Sequence, residues 1–213
     1  MLFNKYFCNY LIVPLFVLTL SACGAEVVPV SADYVLRQQV AGDYLIDCYN
    51  SGGKSFKHLM TMTSGDINNG TYIIREEHYS GEGCVEENLS VMSISEAKSK
   101  FGPVSGIDEG NEFYSNIDLD GTMVNAAKLN VTTLNQRLTI YDETLIDDAE
   151  SEYGMDFTVG EEVLVSEEQV NYYTHAYFPE DISSVTVAPF IPAATDHRAT
   201  YVTDGFVTAV KIR

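Results

Sequence analysis

From Gly42 onward apolar and polar residues alternate with a period of two, the spacing of a half-buried strand. Tyr44, Ile46 and Cys48 alternate with Leu45, Asp47 and Tyr49; Phe56, His58, Met60 and Met62 alternate with Lys57, Leu59, Thr61 and Thr63. Thr71–Tyr79 is rich in β-branched and aromatic residues. Asn69-Gly70 before it predicts a two-residue hairpin turn, since both residues tolerate positive φ. In that register His78 faces Thr61. Ser51-Gly52-Gly53 and Ser80-Gly81-Glu82-Gly83 read as turns, and Cys84–Ser90 as the fourth strand of a meander. Ser93–Phe101 is ambiguous: Ser93 and Glu96 make a weak capping box, with Ile94, Ala97 and Phe101 on one helical face. Phe113–Leu119 and Thr122–Leu134 predict a hairpin around Asp120-Gly121, followed by strands at Arg137–Tyr141, Val163–Val165, Val170–Phe178 and Ser184–Ala188. Tyr201–Thr203 and Phe206–Ile212 predict a last hairpin around Asp204-Gly205. The pattern is that of an all-β domain over residues 41–213, an antiparallel meander forming an up-and-down barrel or a curled sandwich, with at most one short helix.

The first residues follow another rule. Lys5 is the only charge before an apolar run, Leu11–Leu20, interrupted by Pro14. The uninterrupted apolar stretch is about half the roughly 20 residues a spanning helix needs, so residues 1–22 read as a signal peptide. Leu20-Ser21-Ala22-Cys23 then resembles the bacterial lipobox. That resemblance implies cleavage before Cys23, diacylglycerol on its sulfur, and acylation of the new amino terminus. Two or more chains give stable anchoring, at about 0.8 kcal/mol per buried CH₂. Gly24 stands where an Asp commonly retains such proteins at the inner membrane, which resembles the outer-membrane default of a diderm bacterium. Residues 23–40 are then expected as a tether, with a short helical turn at Tyr34–Val40 leading into the domain.

Charge narrows the partners. Asp and Glu number 31 against 12 Lys and Arg, a formal net charge of −19. Nucleic acid and anionic headgroups are held by Lys and Arg, so both are disfavoured. The acidic stretch Asp142–Glu152 reads as a surface loop or short exposed helix. Of the cysteines, Cys8 lies in the signal and Cys23 takes lipid, leaving Cys48 and Cys84. An even pair in an oxidising compartment is expected as a disulfide; the alternatives are two free thiols or a metal pair, and neither has a nearby ligand cluster.

The domain's opening, Gly42-Asp43-Tyr44, resembles the Gly-x-aromatic start of lipocalin-like barrels, with Tyr44 where that family usually has Trp; this chain has no Trp. The resemblance spans about residues 41–90 and implies a barrel with an apolar cavity. Tyr44, Tyr72, Tyr172 and Tyr177 are candidates to line such a binding face, against the simpler reading of core packing with the hydroxyl at the rim. Asn116, Asp118 and Asp120, followed by Gly121, match the first positions of a calcium loop. Ala127 stands where the bidentate Glu belongs, and the flanks alternate like strands, so a hairpin turn is the competing reading. His58, His78, His175 and His197 form no ready ligand pair in the expected register. There is no Gly-x-Ser-x-Gly turn, and the many carboxylates select no catalytic pair. No cofactor is expected beyond a possible Ca²⁺. The first expectation is a non-catalytic, membrane-anchored envelope lipoprotein whose β domain binds a protein or surface polymer. The second is a lipocalin-like carrier of a small apolar ligand, and the third a carboxylate-based hydrolase.

Overall fold

Ser31 accepts the Tyr34 N–H and so caps helix α1 (Ala32–Val40). The computed structural model describes residues 30–108, 112–188, 191–192, 201–202 and 208–213. Cys23 with its lipobox, Asp204-Gly205 and His197 lie outside the described residues. The turn expected at Tyr34–Val40 is thus a full short helix, and it is docked. Its Asp33 and Arg37 pair at 3.0 Å with both side chains buried. Arg37 donates to the carbonyls of Ser64, Asp66 and Ile67, while Asp33 accepts the Phe101 N–H.

Strands β1 (Gly42–Ser51), β2 (Lys54–Met62), β3 (Gly70–Tyr79) and β4 (Leu89–Phe101) form the meander. A hairpin follows, β5 (Tyr114–Leu119) and β6 (Thr122–Ile140). Helix α2 (Ile146–Tyr153) leads to β7 (Glu162–Ser166), β8 (Asn171–Tyr177) and β9 (Ser184–Val187). Short strands β10 (Ile191–Pro192), β11 (Tyr201–Val202) and β12 (Ala209–Lys211) finish the chain. The circuit β1-β2-β3-β4-β6-β8-β9-β12 returns to β1, an antiparallel closed barrel of 8 strands. The barrel expected from period-two alternation is therefore present, and the sandwich is not.

Closure happens at the predicted start of the domain. Tyr44 and Leu45 pair with Lys211 and Val210, and Asp43 exchanges backbone hydrogen bonds with Ile212 and Arg213. Gly42 is required there: its φ is +150°, and an added Cβ would strike the Arg213 carbonyl. The core runs through the barrel and includes Val40, Tyr44, Met60, Met62, Tyr72, Phe101, Leu129 and Val185. Beyond the closing strands, α2 packs its Ala149 against Leu138, Ile140 and Val165.

Several local expectations change. Ser93–Phe101 is strand, not helix. Thr122–Leu134 and Arg137–Tyr141 join in the single strand β6, which pairs with β5 and then β4 along one side and with β8 and then β7 along the other. Tyr201-Val202 pairs in parallel with β5 rather than with the strand that follows it. Asn69-Gly70 is not a two-residue turn. Met62 faces Tyr72, and Asp66 accepts the N–H groups of Asn68 and Asn69 to shape a wider loop. Gly70 is there for close approach: an added Cβ would sit 2.5 Å from the Thr63 carbonyl oxygen and 2.9 Å from Ser99 Oγ. In consequence His78 faces Phe56, not Thr61, and His58 faces Glu76.

Candidate functional site

Antiparallel neighbours share a face, so each rung of β3, β4 and β6 places its side chains together on the inner or outer wall. The inner rungs run Tyr72-Ala97-Thr133, then Ile74-Ser95-Gln136, then Glu76-Ser93-Leu138. Ser93, Ser95, Ala97 and Ser99 are all small, so this wall leaves space that large residues would fill. The space is a cavity of about 220 Å³ lined by Tyr72, Ile74, Ser95, Ala97, Val131, Thr133 and Tyr172. Phe101, Met62 and α1 fill the end beyond Tyr72. Tyr72 is buried and donates to the Met60 sulfur at 3.1 Å. Burial, and then the Glu76 carboxylate, push its hydroxyl well above the ordinary tyrosine range.

On the side away from α1, the rungs beyond Ile74-Ser95 carry a polar cluster. Tyr49 hydroxyl lies 3.2 Å from His58 Nε2, and His58 Nδ1 lies 3.5 Å from Glu76 Oε1. The other carboxylate oxygen, Oε2, is 3.4 Å from Ser93 Oγ and 4.0 Å from His78 Nε2. Tyr49 and Phe56 stack with centroids 5.5 Å apart, and Phe56 meets His78 edge-on at 5.0 Å. Burial lowers the His58 pKa, with Glu76 opposing and His78 adding to the lowering. His58 is therefore neutral at pH 7. Its contacts fit one tautomer, in which Tyr49 donates to Nε2 and Nδ1–H faces Glu76. The imidazoles bracket the carboxylate rather than converge on a point, and no set of three His, Cys, Asp or Glu that could hold a metal ion occurs among the described residues.

Of the tyrosines singled out from sequence, Tyr72 and Tyr172 line the cavity. Tyr44 is fully buried in the core, where burial pushes its pKa up to about 12 and its hydroxyl donates to the Val40 carbonyl at 2.6 Å. Tyr177 packs instead with Ile117, Ala126 and Ala188 under the β5–β6 hairpin. Asp118 and Asp120 lie at or beside that hairpin's tip, and Asn116 in mid-strand. Asp118 accepts the Gly121 N–H at 2.7 Å and Asp120 has φ +49°, so these two build the tight turn, while Asn116 pairs with Asn125 back in the ladder. Cys48 and Cys84 form the expected disulfide. Their approach does not come from adjacent first and fourth strands. The loop after β3 folds back over β2, where Ser55 Oγ donates to the Gly81 carbonyl and accepts the Cys84 N–H.

Sequence reasoning missed the Tyr49-His58-Glu76-His78-Ser93 cluster because the misplaced turn shifted the register. The signal that marked the cavity was the alternation of small residues from Ser93 to Ser99. No protein-family model matches the chain, and no curated protein matches its sequence. No helix among the described residues is long and apolar enough to cross a membrane.

Proposed function

We propose that this is a lipid-anchored envelope protein whose barrel binds a small, largely apolar ligand in the Tyr72–Tyr172 cavity. The cavity is the observation that carries the reading. Binding sites are typically concave, mostly apolar and preformed, with a few polar groups. A hollow lined by Tyr72, Ile74, Ala97, Val131 and Tyr172, with Ser95 and Thr133 as its hydroxyls, is of that kind. It moves the carrier reading ahead of a general interaction domain. An apolar cavity of about 150 Å³ takes benzene, so one of about 220 Å³ admits a body of roughly nine non-hydrogen atoms. Anchoring rests on the lipobox resemblance at Leu20–Cys23.

The test is calorimetric titration of the full-length chain with 2-phenylethanol, a neutral probe of that size. Binding by the native chain, lost in Ser95→Phe, which fills the cavity from its own wall, is the expected result. A native chain that takes up neither this probe nor any analogue of the same body with a different head group overturns the carrier reading. Anchoring is tested separately: Cys23→Ala is expected to leave the membrane fraction and lose incorporation of a labelled fatty acid, while unchanged partitioning would refute the anchor.

A further inference from the structure

The cavity and the polar cluster are one continuous inner surface, since Ile74-Ser95 is the rung between Tyr72-Ala97 and Glu76-Ser93. The cavity lining ends at Ile74 and Ser95, and Glu76 stands on the next rung, so a ligand whose end passes that rung meets Glu76. What that carboxylate has around it decides which end fits. Its polar partners are the His58 and His78 rings and the Ser93 hydroxyl. The cations on these strands point elsewhere: Arg75 and Lys57 lie on outer rungs with Leu59 and Glu77, and Arg75 pairs with Glu77 at 2.6 Å. The rung thus holds one carboxylate facing a neutral His58, with no Lys or Arg against it among the described residues. The stacked Tyr49 and Phe56 rings add aromatic surface beside it.

We infer that the barrel selects a small aromatic or aliphatic amine: the apolar body enters the Tyr72–Tyr172 cavity and the ammonium group docks on Glu76 between His58 and His78. A protonated amine supplies N–H donors and the missing positive charge together, a charge-assisted contact in a partly dry site. An alcohol supplies only a neutral donor, and a carboxylate meets repulsion. The net charge of −19 favours approach of cations to the same molecule.

This inference rests on the carrier reading, and three probes separate the two. 2-Phenylethylamine, 2-phenylethanol and phenylacetate share one body and differ in the head. Titrated into the full-length chain near neutral pH, the amine is expected to bind about tenfold to a hundredfold more tightly than the alcohol, and phenylacetate more weakly than either. Glu76→Gln, nearly isosteric and half-exposed, is expected to remove the amine's advantage over the alcohol. Equal affinity for amine and alcohol, or an advantage that survives Glu76→Gln, overturns the amine inference and leaves the carrier reading standing. Failure of all three probes overturns both. An unchanged thermal midpoint of Glu76→Gln confirms that its readout is not one of misfolding.

Discussion

Arg37 shows how much one side chain can hold. Its guanidinium is buried with Asp33 and donates to loop carbonyls between β2 and β3, while Asp33 holds the end of β4. Replacing a buried ion pair by apolar residues can be nearly neutral, but removing one member strands the other. Arg37→Ala is accordingly expected to cost about 3–5 kcal/mol, read as a fall in the urea midpoint with an unchanged slope. Asp33→Leu with Arg37→Leu is expected to cost less than Arg37→Ala alone. His58 makes the second residue-scale prediction. Burial lowers its folded pKa below the ordinary 6.5, so between those values the unfolded chain holds a proton the native chain does not. Its contribution to stability is complete above about pH 6.5 and is lost as pH falls through the folded value. Glu76 opposes the lowering, so Glu76→Gln is expected to drop the His58 pKa further, followed by the imidazole proton shifts. A rise would mean that Glu76 does not face this ring.

At the scale of elements, the strands whose inner faces are packed were legible and the strand whose inner face is hollow was not. Alternation revealed β2 because Met60 and Met62 meet the core. It failed at β4 because Ser93, Ser95 and Ser99 point inward with Ala97 between them, and Ile94 points outward. Polar residues facing in and an apolar one facing out break the period of two, and the remaining apolar residues happened to fit a helix. The same residues make the cavity, so the misreading falls where the site is. Turn chemistry was equally divided. Asp120-Gly121 does form its hairpin, whereas Gly70 accommodates the Thr63 carbonyl and was mistaken for a turn residue. Of the four candidate tyrosines, Tyr72 and Tyr172 line the cavity, whereas Tyr44 and Tyr177 are packed elsewhere, so residue type alone cannot tell a lining ring from a packing one. The disulfide makes this scale's prediction. It joins β1 to the loop before β4 across a separation of 36 residues. Cys48→Ala with Cys84→Ala is expected to cost up to about 4 kcal/mol by loop entropy, seen as a lower unfolding midpoint. Since the loop also leans on Ser55, amide exchange is expected to quicken first over residues 80–88.

Over the whole molecule, the barrel is closed by its shortest ring strands. β9 and β12 complete a circuit whose other members are far longer, and β12 alone joins β9 to β1. Tyr44 pairs with Lys211, so the final rung unites the two ends of the domain and cannot form until the chain between them is ordered. The Lys211 ammonium lies 5.6 Å from the Tyr44 ring centroid, adding a side-chain contact to this backbone seam. Removing residues 208–213 would leave β1 and β9 as unpaired edges and expose the core at Val185 and Tyr44. The truncated chain is expected to lose probe binding, take up a hydrophobic dye and associate through its free edges, with a shallower and earlier urea transition. Sedimentation velocity and denaturation read this directly. A truncated monomer with an unshifted midpoint would place the barrel's stability in the β1–β4 meander and α1 instead. Intact probe binding by that monomer would further mean that the cavity belongs to the β3-β4-β6-β8 wall alone and does not depend on closure. The wall is continuous without β12, and the closed ring matters to the ligand only if it holds the curvature that brings Tyr172 opposite Tyr72.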